Sequence, residues 1–223
     1  TRAIDNMLMV VCGVAGVEVQ TEVIWDIAQG NKMPRIIFIN KLERENSCFE
    51  TVVEQMREKY GTGIVPLQLP MGKEADFVGM IDLLNEKAYK FENGKSVEIP
   101  IPEEYMEEYE ANRTYLIEVA AESCDELLLK YLEGEVPTNK EILSALRMGI
   151  ANGEIFPVVG GSVAKNMGID ILMDICVDLL PIPTVNAAAP ASAIVFKTLA
   201  DPFVGKLSFI KVIDGQFNAG DGI

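Results

Sequence analysis

Pro34-Arg35-Ile36-Ile37-Phe38-Ile39-Asn40-Lys41-Leu42-Glu43 is the stretch on which the fold turns. Its apolar run, 34–39, reads as a strand buried on both faces, the kind a parallel sheet carries between layers of helix. The run closes abruptly in an amide, an ammonium and a carboxylate. A second apolar run, 155–159, closes far downstream into Gly161-Ser162-Val163-Ala164-Lys165. In an open parallel sheet, ligands sit outside the carboxyl ends of the strands. Two polar loops at two strand ends can therefore converge on one ligand.

Working outward, residues 7–12 form another apolar strand, and Gly13-Val14-Ala15-Gly16 a tight loop behind it. Residues 21–29 read as a helix with Val23, Ile24 and Ile27 on one face and Gly30 as its stop. A helix over 49–60 ends at Gly61, and 64–69 is a further strand. Strand and helix alternating through short connections predict parallel crossovers and an α/β domain.

The rhythm changes after Pro70. Segments 87–91 and 96–99 flank Glu92-Asn93-Gly94-Lys95, and Asn-Gly between strand-like runs signals a hairpin. Pro102 then opens one long helix to about residue 132, with Tyr109, Leu116, Ala120, Cys124, Leu127 and Tyr131 at helical spacing. Residues 138–151 form a second helix, Thr138 and Glu141 spelling a capping box. This middle block reads as an α+β insertion. The α/β pattern resumes at Ile155 and runs through a helix over 169–180. Pro181-Ile182-Pro183 ends it, and Asn186-Ala187-Ala188-Ala189-Pro190 reads as an interdomain linker. Strands at 193–199 and 206–213, joined through Asp201-Pro202-Phe203-Val204-Gly205, read as the opening of a β domain cut short at Ile223. The first residue, Thr1, suggests a piece of a longer protein.

Composition removes whole classes of function. There is no histidine, so no histidine base, nucleophile or metal ligand comes from these residues. A formal net charge of −15 speaks against a broad nucleic-acid surface, which needs clustered Lys and Arg. No apolar run approaches the roughly 20 residues that span a bilayer. Cys12, Cys48, Cys124 and Cys176 are scattered with no CxxC pair, the pattern of reduced, buried thiols in a cytosolic protein.

The residue types at the strand ends suit a flat heterocycle with a donor edge. A carboxylate accepts two hydrogen bonds, so Glu43 can read the adjacent N–H and NH₂ donors of guanine, a pair adenine does not offer there. The aliphatic stem of Lys41 can cover one ring face and that of Lys165 the other. Asn40 can bridge loops or touch the base. Ser162 and the Val163 N–H can serve the base's carbonyl side.

Residues 8–25 (LMVVCGVAGVEVQTEVIW), 34–44 (PRIIFINKLER), 65–69 (VPLQL) and 201–209 (DPFVGKLSF) closely resemble bacterial elongation factor G, in order and over nearly the whole chain. By that resemblance, 1–69 and 154–184 are the C-terminal part of a P-loop GTPase domain with a parallel sheet. Residues 70–153 are its inserted α+β subdomain, and 191–223 begin a second, β-barrel domain. Asn40, Lys41 and Glu43 then belong to the base-specificity motif, and Ser162, Val163 and Lys165 to the loop supporting the base. Two departures stand out. Glu43 occupies the family's aspartate position, which pushes the carboxylate outward by roughly one C–C bond. Ser162-Val163-Ala164-Lys165 replaces the usual Ser-Ala-Phe-Lys, bringing a β-branched side chain toward the base.

The resemblance implies a cytoplasmic, monomeric translation factor that binds GTP or GDP and hydrolyses GTP on the ribosome to drive tRNA–mRNA translocation. Mg²⁺ is expected in the full-length parent only. The chain carries no Gly-x-x-x-x-Gly-Lys-Ser/Thr phosphate loop, and the Asp-x-x-Gly segment and catalytic histidine of the family are expected to be missing too. No catalytic or metal-binding residue is therefore assigned. Residues 101–135 hold eleven Asp and Glu against Arg113 and Lys130, a solvated helix face or a docking surface for the ribosomal stalk proteins. Two rival readings are a degenerate, non-hydrolysing ribosome-binding module and a ribosomal-protection GTPase.

Overall fold

The computed structural model describes residues 3–220 and 222; the outermost residues of the expected ranges 1–69 and 191–223 lie outside the described residues. They form one compact unit, Asn6–Pro181, and a second made of residues 3–5 and 182 onward.

The larger unit is built on a four-stranded, all-parallel sheet. Its strands β1 (Met7–Cys12), β2 (Arg35–Asn40) and β3 (Ile64–Pro66) alternate with helices α1 (Val19–Gly30) and α2 (Phe49–Tyr60). The sheet order is β1-β2-β8-β3, where β8 is Phe156–Gly160. The strand latest in sequence thus sits between two early ones. Strand β2 is buried from Arg35 to Ile39, as its apolar run predicts. Its one charge, Arg35, is fully buried between the Trp25 and Phe156 rings, 3.9 and 4.3 Å from their centroids. Its guanidinium donates to the Trp25 carbonyl and the Gln29 side chain, and burial pushes it down to about 10.

That aromatic cluster corrects the expected face of α1. Trp25 and Ala28 are buried, whereas Val23 and Ile27 are exposed. Stacking of Trp25 on Tyr60 at 4.0 Å rotates the helix toward its largest side chain.

The chain leaves the parallel sheet between β3 and β8 and forms an antiparallel meander, β4 (Gln68–Met71), β5 (Gly79–Asp82), β6 (Lys87–Glu92) and β7 (Lys95–Ile99). The single strand expected over 64–69 is therefore two. Leu67 is the switch: its N–H donates to Val158 of β8, and its carbonyl accepts from Leu83 beside β5. The predicted hairpin is present, with Asn93 and Gly94 at φ of 52° and 74°.

Three helices complete the middle block. The expected long helix is divided into α3 (Met106–Glu122) and α4 (Asp125–Leu132), because Cys124 is extended at φ −147°. Helix α5 (Asn139–Asn152) packs so closely at this break that a Cβ on Gly149 would lie 2.7 Å from the Ser123 hydroxyl. The capping box of α5 is formed as predicted, with Glu141 N–H donating to the Thr138 hydroxyl and Thr138 N–H to the Glu141 carboxylate. Its buried stripe is Ile142, Ala145, Leu146, Gly149 and Ile150. Helix α6 (Ile169–Leu179) follows β8. All four cysteines are free and half-buried rather than fully buried.

In the second unit, β9 (Ser192–Asp201) and β10 (Gly205–Asp214) pair antiparallel into a ribbon. Asp201 Oδ1 accepts from the Phe203 and Val204 N–H groups and fixes its turn. Among the described residues no helix is long and apolar enough to cross a membrane.

Candidate guanine-nucleotide site

Three loops leave the carboxyl ends of adjacent strands β1, β2 and β8, and backbone hydrogen bonds zip them together. Gly161 N–H donates to the Ile39 carbonyl (3.0 Å) and Leu42 N–H to the Gly161 carbonyl (3.3 Å). On the other side, Gly13 N–H donates to the Asn40 carbonyl (2.7 Å) and Cys48 N–H to the Gly13 carbonyl (3.1 Å). Such close approach needs glycine at 161, where a Cβ would lie 2.4 Å from the Met167 carbonyl.

Asn40 is the keystone. Its Oδ1 accepts from its neighbour Lys41 N–H at 2.8 Å and from Val163 N–H at 3.0 Å. Its Nδ2 has no partner among the described residues. Lys41 adopts a left-handed backbone, φ 70°, which turns the chain sharply out of β2. Leu42 points inward and is buried, its carbonyl capped by the Ser47 hydroxyl at 2.8 Å. Glu43 is half-buried, and its Oε2 is shielded from solvent with no hydrogen-bond partner. A buried, unpaired carboxylate oxygen is costly unless a donor meets it.

The second loop is organised around Ser162, which is fully buried. Its hydroxyl accepts from Lys165 N–H at 3.1 Å, and its N–H and carbonyl pair with Met167. The Ser162 hydroxyl and the Val163 N–H are thus both engaged within the protein, the first shaping its own loop and the second held by Asn40. Val163 and Lys165 present exposed side chains.

Cys12 is a neighbour that the motif reading does not include. Burial pushes its thiol up, but the Ala15 and Val14 N–H groups and the adjacent Lys41 ammonium outweigh this and leave it lowered. Gly13, Ser47 and Cys12 could have been found only by asking which residues follow or flank the strand ends. Residues Asp76-Phe77-Val78-Gly79 spell an Asp-x-x-Gly, the pattern of the family segment expected to be missing. They belong to the meander: Gly79 opens β5, where a Cβ would lie 2.2 Å from the Tyr89 carbonyl, so close strand packing accounts for the glycine.

Residues 1–182 match the family described as Elongation factor Tu GTP binding domain. The chain is 37% identical to Elongation factor G of Mycoplasma pneumoniae, over 98% of this chain and 35% of that protein. A crystal structure from Thermus thermophilus is similar at a TM-score of 0.87 and 32% identity, over 99% of this chain and 33% of that one. The chain therefore spans about a third of the length of either.

Proposed function

The chain belongs to the Elongation factor Tu GTP-binding domain family, and from that premise we propose that its two loops hold the base of GTP or GDP. One observation carries the reading: Asn40 ties the β2 and β8 loops together beside a Glu43 oxygen that is buried and unpaired. In this reading Glu43 accepts from the guanine N–H and NH₂, and the free Asn40 Nδ2 donates to a ring nitrogen. The stems of Lys41 and Lys165 flank the ring faces, and Ser162 and Val163 shape the wall behind it. The extra methylene of Glu43 loosens the two-point contact and lowers discrimination for guanine.

In the whole protein this site serves GTP hydrolysis on the ribosome, coupled to tRNA–mRNA translocation. The inserted block 70–153 forms its own subdomain, whose acidic stretch 101–135 meets the stalk proteins, and 191–223 opens a β barrel. The 223 residues contain no phosphate loop, so they do not hydrolyse GTP by themselves. No three His, Cys, Asp or Glu side chains gather to hold a metal among the described residues. Mg²⁺ is assigned to the full-length protein, where it would neutralise phosphate charge. Glu43 also favours a second reading, a ribosome-binding module that binds nucleotide without turnover.

Affinities of the full-length protein for GDP, IDP and ADP, before and after Glu43→Asp, test the assignment. GDP should exceed ADP, and Glu43→Asp should widen the gap between GDP and IDP, which lacks the amino group. Equal binding of GDP and ADP would remove the guanine reading, and unchanged affinities after Glu43→Asp would remove the role of the carboxylate. Ribosome-stimulated GTP hydrolysis by the same protein separates the translocase from the silent module.

A further inference from the structure

The loop that carries Val163 and Lys165 is exposed along 163–166, and its own hydrogen bonds, the Ser162–Met167 backbone pair, Asn166 N–H to the Val163 carbonyl and Lys165 N–H to the Ser162 hydroxyl, shape the turn itself. A loop of that kind holds a ligand-binding geometry only if something outside it braces it. The braces come from the antiparallel meander, far away in sequence.

At the loop's entry, Gly160 N–H donates to the buried Gln68 side chain of β4 at 3.3 Å. At its tip, Asn166 Nδ2 donates to the Gly94 carbonyl at 2.9 Å. The left-handed Asn93-Gly94 turn of the β6–β7 hairpin presents that carbonyl, and the left-handed backbone of Asn166, φ 52°, aims its side chain back at it. At the exit, Ser96 of β7 donates twice to Asp170 in the first turn of α6, from its hydroxyl at 2.6 Å and its N–H at 3.0 Å. Burial pushes the Asp170 carboxyl up, but these bonds and one from Ile171 N–H outweigh it and leave the carboxyl lowered, hence firmly ionised. Between tip and exit, Phe91 of β6 closes on Gly168, where a Cβ would lie 3.2 Å from its ring.

We propose that the β6–β7 hairpin is a clasp on the 161–168 loop, with Asn166, Ser96 and Asp170 as positioning residues that set how long a guanine nucleotide stays bound. The inference rests on the guanine reading above and adds a control on it. Val163 N–H holds Asn40, so a loop that slips from the clasp takes the bridge between the two loops with it. Nucleotide release then speeds up without any change in a residue that touches the base.

The test is the dissociation rate of a fluorescent GDP analogue (mant-GDP) from the full-length protein, chased with excess GDP. Ser96→Ala removes one donor from an accessible hairpin. Asn166→Gly removes the Nδ2 donor to the Gly94 carbonyl while keeping a residue at ease with a left-handed backbone. Each should speed release several-fold, the scale of one net hydrogen bond, and the pair about tenfold, with the melting temperature nearly unchanged. Ser96→Thr retains the hydroxyl and should release at the wild-type rate, which a loss of packing alone would not explain. Release at the wild-type rate from the double variant overturns the clasp while leaving the guanine reading intact. A wild-type protein that fails to bind mant-GDP overturns both.

Discussion

The loop at 40–43 and the loop at 161–168 meet across one asparagine and the backbone of Gly161, yet their remaining supports differ. The first is anchored by its own neighbourhood: Leu42 is buried, Ser47 caps the Leu42 carbonyl, and Arg44 N–H bonds Lys41. The second adds to its own turn bonds a set of distant partners at its entry, tip and exit, Gln68, Gly94 and Ser96, at separations of 92, 72 and 74 positions. A locally anchored loop is as stable as its strand. A remotely braced loop is as stable as the element that braces it, and it can be tuned through that element.

Asn40→Ala breaks the comparison most directly, because it unlinks the two loops. Two N–H groups lose their acceptor, so GDP affinity of the full-length protein should fall about a hundredfold, measured by equilibrium titration. A smaller loss than that of the Ser96→Ala, Asn166→Gly pair would mean that the clasp, and not the bridge, dominates. Gly160→Ala comes next. Its Cβ would stand 2.8 Å from Leu42 Cδ1 and 3.0 Å from Phe49 Cδ2, crowding the seam between the loops. Overpacking of that kind costs about 1–3 kcal/mol, read from the denaturant midpoint.

Gln68→Leu sharpens the contrast with a smaller effect. It leaves the Gly160 N–H without its acceptor at a cost of about 1 kcal/mol. Hydrogen exchange should accelerate at 160–168 and, in the first loop, only at Leu42, whose N–H bonds the Gly161 carbonyl. Acceleration at Arg44 as well would show that the first loop has no anchor of its own.

The smallest effect belongs to a control far from both. Glu141 is held down to about 2 by the Lys130 ammonium, with the Thr138 N–H and hydroxyl adding to it. Its folded value lies below the ordinary 4.5, so its contribution is complete above 4.5 and fades as pH falls toward 2. Melting temperatures of wild type and Glu141→Gln should therefore differ at neutral pH and converge across that acid window. Release of mant-GDP should be unaffected, since this capping box touches neither loop.

Much of this was legible in the residues. The buried run of β2, the Asn93-Gly94 hairpin, the Thr138–Glu141 capping box and the alternation of strand and helix all follow from local periodicity and turn chemistry. The readings that failed share one cause. Leu67 divides an apparent strand because its N–H and carbonyl serve two different sheets. Cys124 breaks an apparent helix where α5 packs hard against Ser123. Trp25 rather than Val23 and Ile27 faces the core of α1, because Tyr60, Phe156 and Arg35 wait there.

By itself, then, the sequence settled which side chains stand at the strand ends: a carboxylate, an amide and two lysines, with no histidine among the 223 residues. Only the folded chain decided that β8 lies beside β2, that Asn40 reaches Val163 across 123 positions, and that Asn166 meets the Gly94 carbonyl of the β6–β7 hairpin. Periodicity and turn preference act over a few neighbouring residues. Adjacency between distant segments is set by which buried faces fit together, and no local pattern encodes that.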